Sequence, residues 1–221
     1  MSLCALLNAV SCNQVDESYS CNPNIDQWIK DNIVMIRSLD YEEWQKLDVS
    51  VRLNTCAAFT GEQKMQMWRD KIRQIKHLGW SLEELSHIEK AEQFFNSHAP
   101  EWFSVEKISY EQECELEKFF ILWMDEGIES FGWAKNVPLL MFMTLEPLVR
   151  VKGELTIKQE EPMLSVATLQ ASYESSCNCH IGFGDFCLTD GPCIETDCNI
   201  KPYCGWILLQ DCNGRCEAYE F

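Results

Sequence analysis

The chain has 221 residues, 13 of them cysteine, and a formal net charge of -17 because 35 aspartates and glutamates outweigh 18 lysines and arginines. This length suits one or two domains with a sizeable core. The acidic excess argues against binding nucleic acid or anionic lipid, since both need a basic surface, and no stretch reaches the roughly 18 apolar residues of a spanning helix.

The first segment resembles the end of a lipoprotein signal peptide. Residues 3–10 form a short apolar run, Ala9-Val10-Ser11-Cys12 approximates a lipobox, and Gln14-Val15-Asp16-Glu17 resembles an acidic surface-export tag. Cys12 would then be lipidated and tether the protein through its acyl chain. A basic leader is missing, which a start codon placed too far downstream would explain. Residues 1–23 are thus predicted to be a signal remnant with a disordered N-terminus, the alternative being a plain disordered terminus.

Residues 24–147 are predicted to form a domain of six or seven helices packed as an irregular bundle, because apolar residues recur there at helical spacing. Helix starts are indicated where a capping residue is followed three positions later by Glu or Gln, at Asp40, Thr60, Ser81 and Ser109. The predicted breakers between helices are Gly79, Pro100, Gly132 and Pro147. A last helix is expected from Asn136 to Leu145, with Pro138 in its first turn.

Seven of the eight tryptophans lie in this helical region, where large aromatics at helical spacing are predicted to fill the core. An acidic run is predicted to be a solvated surface rather than a cation site; its members are Glu113, Glu115, Glu117, Asp125 and Glu126. Three cysteines have no assigned fate, namely Cys21, Cys56 and Cys114. Cys56 is expected to be a buried thiol or a partner of Cys21.

Residues 148–176 are predicted to link two domains. Val149–Ile157 alternates briefly between apolar and polar residues, as a short edge strand or an extended linker does, and polar breakers follow it.

The remaining segment, 177–221, is predicted to be a cysteine-rich module with little β-structure. Its eight cysteines are Cys177, Cys179, Cys187, Cys193, Cys198, Cys204, Cys212 and Cys216. About 45 residues cannot bury enough surface to fold alone, so four disulfides are expected to stabilise the module and indicate an oxidising compartment. A zinc site is the alternative, but the tail has no CxxC pair. No metal or cofactor is therefore predicted, and the pairing is open among 105 arrangements.

Motifs of catalytic sites are absent from the sequence. The four histidines, His77, His87, His98 and His180, form no HExxH pattern, and the chain has neither a GxSxG elbow nor a GxxxxGK[ST] phosphate loop. Each histidine is expected at the surface or at a helix end. No catalytic residue is predicted, and the protein is predicted not to be an enzyme.

The tail resembles the bacteriocin fulvocin C-related family. The resemblance rests on Cys177-Asn-Cys179, Asp185-Phe-Cys187, Cys204-Gly-Trp206 and Cys212-Asn-Gly-Arg-Cys216, with helical segments similar to Phe59–Lys71 and Gly132–Pro147 before them. It implies a helical region followed by a disulfide-bonded tail. The tail here is acidic, however, with eight acidic and two basic residues between 172 and 221. Attack on anionic membranes normally profits from positive charge.

Three functions compete at this point. The first is an exported, non-enzymatic cell-envelope or secreted protein whose stapled tail binds an unknown protein or envelope target, touching a membrane only through Cys12. The second is a bacteriocin precursor, in which cleavage in the linker releases the tail. The third is an uncharacterised envelope enzyme. A free fragment of about 45 residues in culture would favour the second.

Overall fold

The computed structural model describes residues 18–20, 22–158, 177, 179–181, 187, 192–198 and 201–216. Over these residues, eight helices precede a few short strands. The protein is mainly α, with an irregular helical bundle followed by a small disulfide-rich module, as predicted. The helices are α1 (Pro23–Asp31), α2 (Ile33–Ile36), α3 (Tyr41–Trp44), α4 (Val49–Thr55), α5 (Gly61–Lys76), α6 (Leu82–Trp102), α7 (Tyr110–Phe131) and α8 (Asn136–Phe142).

The helix starts follow the predicted capping residues. Asp40, Ser81 and Ser109 each accept a hydrogen bond from the backbone N–H three residues later, and the Glu or Gln at that position binds back to the cap N–H. Thr60 accepts from the Gln63 N–H at 3.1 Å. These side chains satisfy N–H groups that a helix end leaves unpaired, so four predicted starts are confirmed.

Two predicted helix ends are wrong. Pro100 lies inside α6, which continues to Trp102 because the neighbouring Ala99 and Trp102 are buried in the core. This packing outweighs the single backbone hydrogen bond that proline removes. Helix α8 ends at Phe142, three residues before the predicted Leu145.

The three long helices form the centre of the bundle. Helix α6 packs against both α5 and α7, and α3 packs against α5. Five of the seven tryptophans in this region are buried, which confirms their predicted role as core residues; they are Trp44, Trp68, Trp102, Trp123 and Trp133. Burial of such side chains contributes about 1.5–3 kcal/mol or more each.

Buried polar groups hold the segment that leaves α8. The Lys71 amine donates to the carbonyls of Leu140, at 2.8 Å, and Thr144. Arg52 forms a buried ion pair with Glu146. Burial lowers the pKa of Lys71 well below its usual value, although the Glu146 charge opposes this. Because every one of these groups has a partner, they define one position for the chain after α8.

A hairpin follows this segment, where a strand or an extended linker was expected. Strands β1 (Leu148–Val151) and β2 (Glu154–Ile157) are antiparallel, and Lys152 and Gly153 make the turn with positive φ angles of 53° and 92°. Such angles match the twist of a two-residue hairpin. The hairpin packs Leu148 and Leu155 into the helical core. Residues 159–176, the rest of the predicted linker, lie outside the described residues.

The described residues of the tail include four strands: β3 (Cys193–Ile194), β4 (Lys201–Cys204), β5 (Gln210–Cys212) and β6 (Arg215–Cys216). They form two antiparallel pairs, β3 with β6 and β4 with β5. Among the described residues, no helix is long and apolar enough to cross a membrane.

Candidate interaction site in the cysteine-rich tail

The eight tail cysteines form four disulfides, which confirms the predicted framework. The pairs are Cys177–Cys198, Cys179–Cys193, Cys187–Cys216 and Cys204–Cys212. Their Cα–Cα distances of 5.2–5.9 Å fall within the range that disulfide geometry requires. Bridges of this kind belong to an oxidising environment, as in extracellular proteins.

The disulfides are arranged in two clusters. Cys177, Cys204, Cys212 and Cys198 pack together; the second cluster is formed by Cys179, Cys187, Cys193 and Cys216. Each cluster therefore contains two complete bridges, and sulfur replaces the aliphatic core that so short a segment cannot build.

The pairing is directly testable by peptide mapping of the non-reduced protein. We expect linked peptides for the four pairs above, and alkylation of Cys114 without prior reduction, because Cys114 is unpaired and half-buried. Any peptide that joins one cluster to the other would contradict the arrangement.

An apolar turn of the tail is inserted into the helical domain. Trp206 and Ile207 are 3% and 0% exposed and belong to the same core as the helices. The Trp206 ring stacks on Phe120 of α7, with centroids 4.8 Å apart and planes inclined by 8°. The tail is thus anchored in the bundle by a hydrophobic contact as well as by the covalent chain.

The turn carries backbone strain that its burial offsets. Ile207 and Leu208 have φ angles of 46° and 58°, a region that costs non-glycine residues about 1 kcal/mol or more. Gly205, at φ 64°, begins the turn, and a Cβ there would overlap the side chain of Gln210. The sequence Gly-Trp-Ile is therefore held in one conformation by the surrounding core.

A polar contact flanks this anchor. His180 Nδ1 donates to the Asp211 carbonyl at 2.7 Å, and its Nε2 lies 3.2 Å from Glu117 and 3.4 Å from Glu113 of α7. Gln210, itself 3% exposed, donates to Glu117 at 2.8 Å. The tail thus places two donors against two carboxylates of the helical domain.

These contacts favour the protonated form of His180. Burial of the ring opposes protonation, but the hydrogen bonds to Glu117 and to the Asp211 carbonyl, with the charges of Glu113 and Glu117, outweigh it and raise the pKa of His180 above its usual value. Protonated His180 is thereby stabilised in the docked tail.

Docking of the tail is expected to weaken as the pH rises. The pKa of His180 in the folded protein lies above its unfolded value of about 6.5. The contribution of protonated His180 to the free energy of unfolding is therefore complete below about pH 6.5 and is lost as the pH rises through the raised pKa. We expect a loss of about 1–3 kcal/mol in the free energy of unfolding, measured by urea denaturation at several pH values. His180→Gln should remove this component, whereas the matched variant of exposed His77, His77→Gln, should retain it.

Two more contacts link the tail to the helical domain. Lys107, in the connection between α6 and α7, pairs with Asp211 at 2.6 Å. The Lys64 amine of α5 lies 3.9 Å from the ring centroid of Tyr203, and burial lowers the pKa of Lys64 to about 8. The tail therefore contacts α5, α7 and the loop before α7.

Among the tail residues whose burial the structure describes, residues 194–197 form an exposed loop. Ile194 is 39% exposed, and residues 195–197 are exposed as well. Cys193 and Cys198 stand on either side of this loop, and each is bonded to another part of the tail. A loop fixed at both ends loses little entropy on binding a partner.

Of the five residues predicted to form a solvated acidic surface, two are not exposed, so the prediction is wrong for them. Glu117 is buried and Glu113 half-buried beneath the tail, because both face His180 and Gln210. Glu115, Asp125 and Glu126 are exposed as predicted. The sequence does contain a signal: Glu117 precedes Phe120 and Met124 by three and seven positions, and so shares their buried face.

The prediction that His87 lies at the surface or at a helix end is also wrong. It is 1% exposed, stacks on Trp123 with ring centroids 4.9 Å apart, and donates from Nε2 to the Trp123 carbonyl. Burial lowers its pKa, against the opposing effects of that carbonyl and of Glu126. His87 is therefore part of the core between α6 and α7 rather than a surface residue.

Of the other cysteines discussed from the sequence, two lie outside the described residues and one is buried. Cys12, the predicted lipidation site, lies outside the described residues, as does Cys21. Cys56 is 3% exposed, as predicted for a buried side chain.

Comparison with known proteins adds no relative. No protein-family model matches the chain, and no curated protein or solved structure is significantly similar to it.

Proposed function

We propose that this chain is an exported, non-enzymatic protein of the cell envelope or the extracellular medium, and that it binds its partner through the stapled tail. In this proposal it acts as an intact chain, related to the fulvocin C-related proteins that its cysteine pattern resembles. The observation that carries the proposal is the Trp206–Ile207 turn in the helical core. A peptide designed for release would expose this apolar pair to water when it left the bundle.

The loop between the bridged Cys193 and Cys198 is the proposed contact surface. It combines exposed Ile194 with the acidic residues Glu195 and Asp197. Rigid loops with an apolar residue bind at low entropic cost, and the negative charge favours a partner with a basic patch. Anionic lipid would be repelled.

Fractionation of cells that express the full-length gene, with a labelled fatty acid, tests the proposal. We expect one species that carries both the helical region and the tail, found in the envelope or the medium with its eight tail cysteines oxidised. Loss of the acyl label in Cys12→Ser would support lipid attachment at that residue. A released fragment of about 45 residues would instead favour the bacteriocin precursor, and a cytoplasmic protein with reduced tail cysteines would contradict export.

Binding can be tested separately with the substitutions Glu195→Lys and Asp197→Lys. Both side chains are exposed, so folding should be preserved. Retention on the cell envelope or co-purification with a basic partner should fall in the double variant and persist in a Glu115→Lys control on α7. Unchanged binding in the double variant would contradict the assignment of this loop.

A further inference from the structure

A cleft lies between the first turns of α6 and the end of α7. Its volume is about 360 Å³, near the lower end of the range for small-molecule sites. The residues that line it are Leu82, Glu83, Ser86, His87, Lys90 and Phe131. All of them belong to the two helices, so the cleft is a different surface from the binding loop of the tail.

One lining residue, His87, has a buried nitrogen without a hydrogen bond. His87 is 1% exposed, and burial lowers its pKa, so the ring is neutral at physiological pH. Its Nε2 carries the hydrogen, because the Trp123 carbonyl at 2.8 Å can only accept. Nδ1 is therefore an acceptor, and it has no partner among the described residues. Buried acceptors are rarely left unpaired, so this atom favours a ligand that brings a donor.

A second acceptor faces the same nitrogen. Glu126 Oε1 lies 3.7 Å from His87 Nδ1, which is too long for a hydrogen bond, and neither atom carries a hydrogen. One donor nitrogen about 2.9 Å from each of them would bridge the two. The bridge needs two hydrogens on one atom, and an ammonium group has three. A hydroxyl group, with one hydrogen, would satisfy only one of the two acceptors.

The charges around the cleft also favour a cation. The carboxylates of Glu83 and Glu126 outnumber the one amine, that of Lys90. Lys90 donates to Glu126 Oε1 at 2.6 Å, but this pair is 53% and 48% exposed and so contributes little. The Lys90 amine can therefore turn into water when another amine binds. An anion would instead meet the two carboxylates and the Nδ1 lone pair.

Apolar side chains stand beside these polar groups. Leu82 is 82% exposed, and the half-buried ring of Phe131 has its centroid 5.3 Å from that of His87. A ligand that covers Leu82 and Phe131 would remove apolar surface from water, which stabilises the complex.

We propose that the α6–α7 cleft binds a primary ammonium compound with a small apolar body. The ammonium group bridges His87 Nδ1 and Glu126, and the apolar body covers Leu82 and Phe131. This goes beyond the proposed function, because it gives the helical domain a small-molecule site of its own.

The experiment uses the oxidised full-length protein, labelled with ¹⁵N-histidine and titrated with 2-phenylethylamine in about 0.15 M salt, where exposed charges are screened. We expect saturation with a Kd of about 1 mM or below, and an upfield shift of the His87 Nδ1 resonance as its lone pair accepts a hydrogen bond. Glu126→Ala should weaken binding about tenfold, whereas Asp125→Ala, a matched exposed carboxylate on α7, should leave it unchanged. Lys90→Met should strengthen binding about two- to fivefold, because it removes the competing amine.

Each of the following results would overturn the proposal. The acid of matched size, 3-phenylpropanoate, might bind as tightly as the amine, or Lys90→Met might weaken binding. Equal loss in Glu126→Ala and Asp125→Ala would mean that the amine merely collects on an acidic surface. An unchanged His87 Nδ1 resonance at saturation would mean that the amine does not reach this atom. Thermal unfolding should confirm that each variant is folded, and none of these results bears on export or on the binding loop.

Discussion

Trp206→Ala is expected to lower the free energy of unfolding by about 3–5 kcal/mol. The substitution removes a buried ring that stacks on Phe120 and leaves a cavity in the core shared by the helices and the tail. Ile207, with φ at 46°, would then keep its backbone strain with less packing to offset it. Urea denaturation followed by far-UV circular dichroism measures the loss, since this signal reports the helices.

The helical signal makes the experiment specific for docking. A tail that merely lies on the bundle would leave the helical transition unchanged when Trp206 is removed, and that outcome would contradict a shared core. Ile194→Ala is the matched control, because Ile194 is an apolar tail residue that is 39% exposed, and it should change stability by no more than about 0.5 kcal/mol. Limited proteolysis should also cut the tail of Trp206→Ala faster than that of the control.

Sequence reasoning succeeds where the physical cause is local. A cap at Ser81 or Ser109 and its glutamate or glutamine lie within one helical turn, so their spacing in the chain fixes their contact in space. Gly132 ends α7 with φ at 67° for an equally local reason. Local sequence does not predict the end of α6 near Pro100, because the packing of Trp102 against distant residues decides where that helix ends.

The candidate site depends instead on contacts across long distances in the chain. Cysteine spacing indicates that disulfides form, but the partner of each cysteine is set by the fold. Gln210 donates to Glu117 from 93 positions away, and Trp206 meets Phe120 across a similar separation. No periodicity within either segment encodes these pairs. What the sequence shows is the residue types, namely an acidic side chain on a buried helical face and a tryptophan among cysteines.

Glu146→Ala is expected to destabilise the protein by about 3–5 kcal/mol. The substitution leaves the Arg52 guanidinium, which is 6% exposed, without its carboxylate partner. Arg52 would keep one hydrogen bond, from Nη1 to the Gln45 carbonyl at 2.6 Å, but its charge would be uncompensated in the core. The change can be measured by urea denaturation beside Glu126→Ala, which breaks the exposed pair with Lys90 and should cost no more than about 1 kcal/mol.

A double substitution separates the charge from the packing. In Arg52→Met/Glu146→Leu both buried charges are replaced by apolar side chains of similar size, so most of the loss should be recovered. The Lys71 amine would still donate to the carbonyls of Leu140 and Thr144 and hold the segment after α8. If the double variant is as unstable as Glu146→Ala, the segment depends on the ion pair itself. If it recovers, the single variant is destabilised by the unpaired guanidinium, and the pair serves to fix one arrangement of the chain.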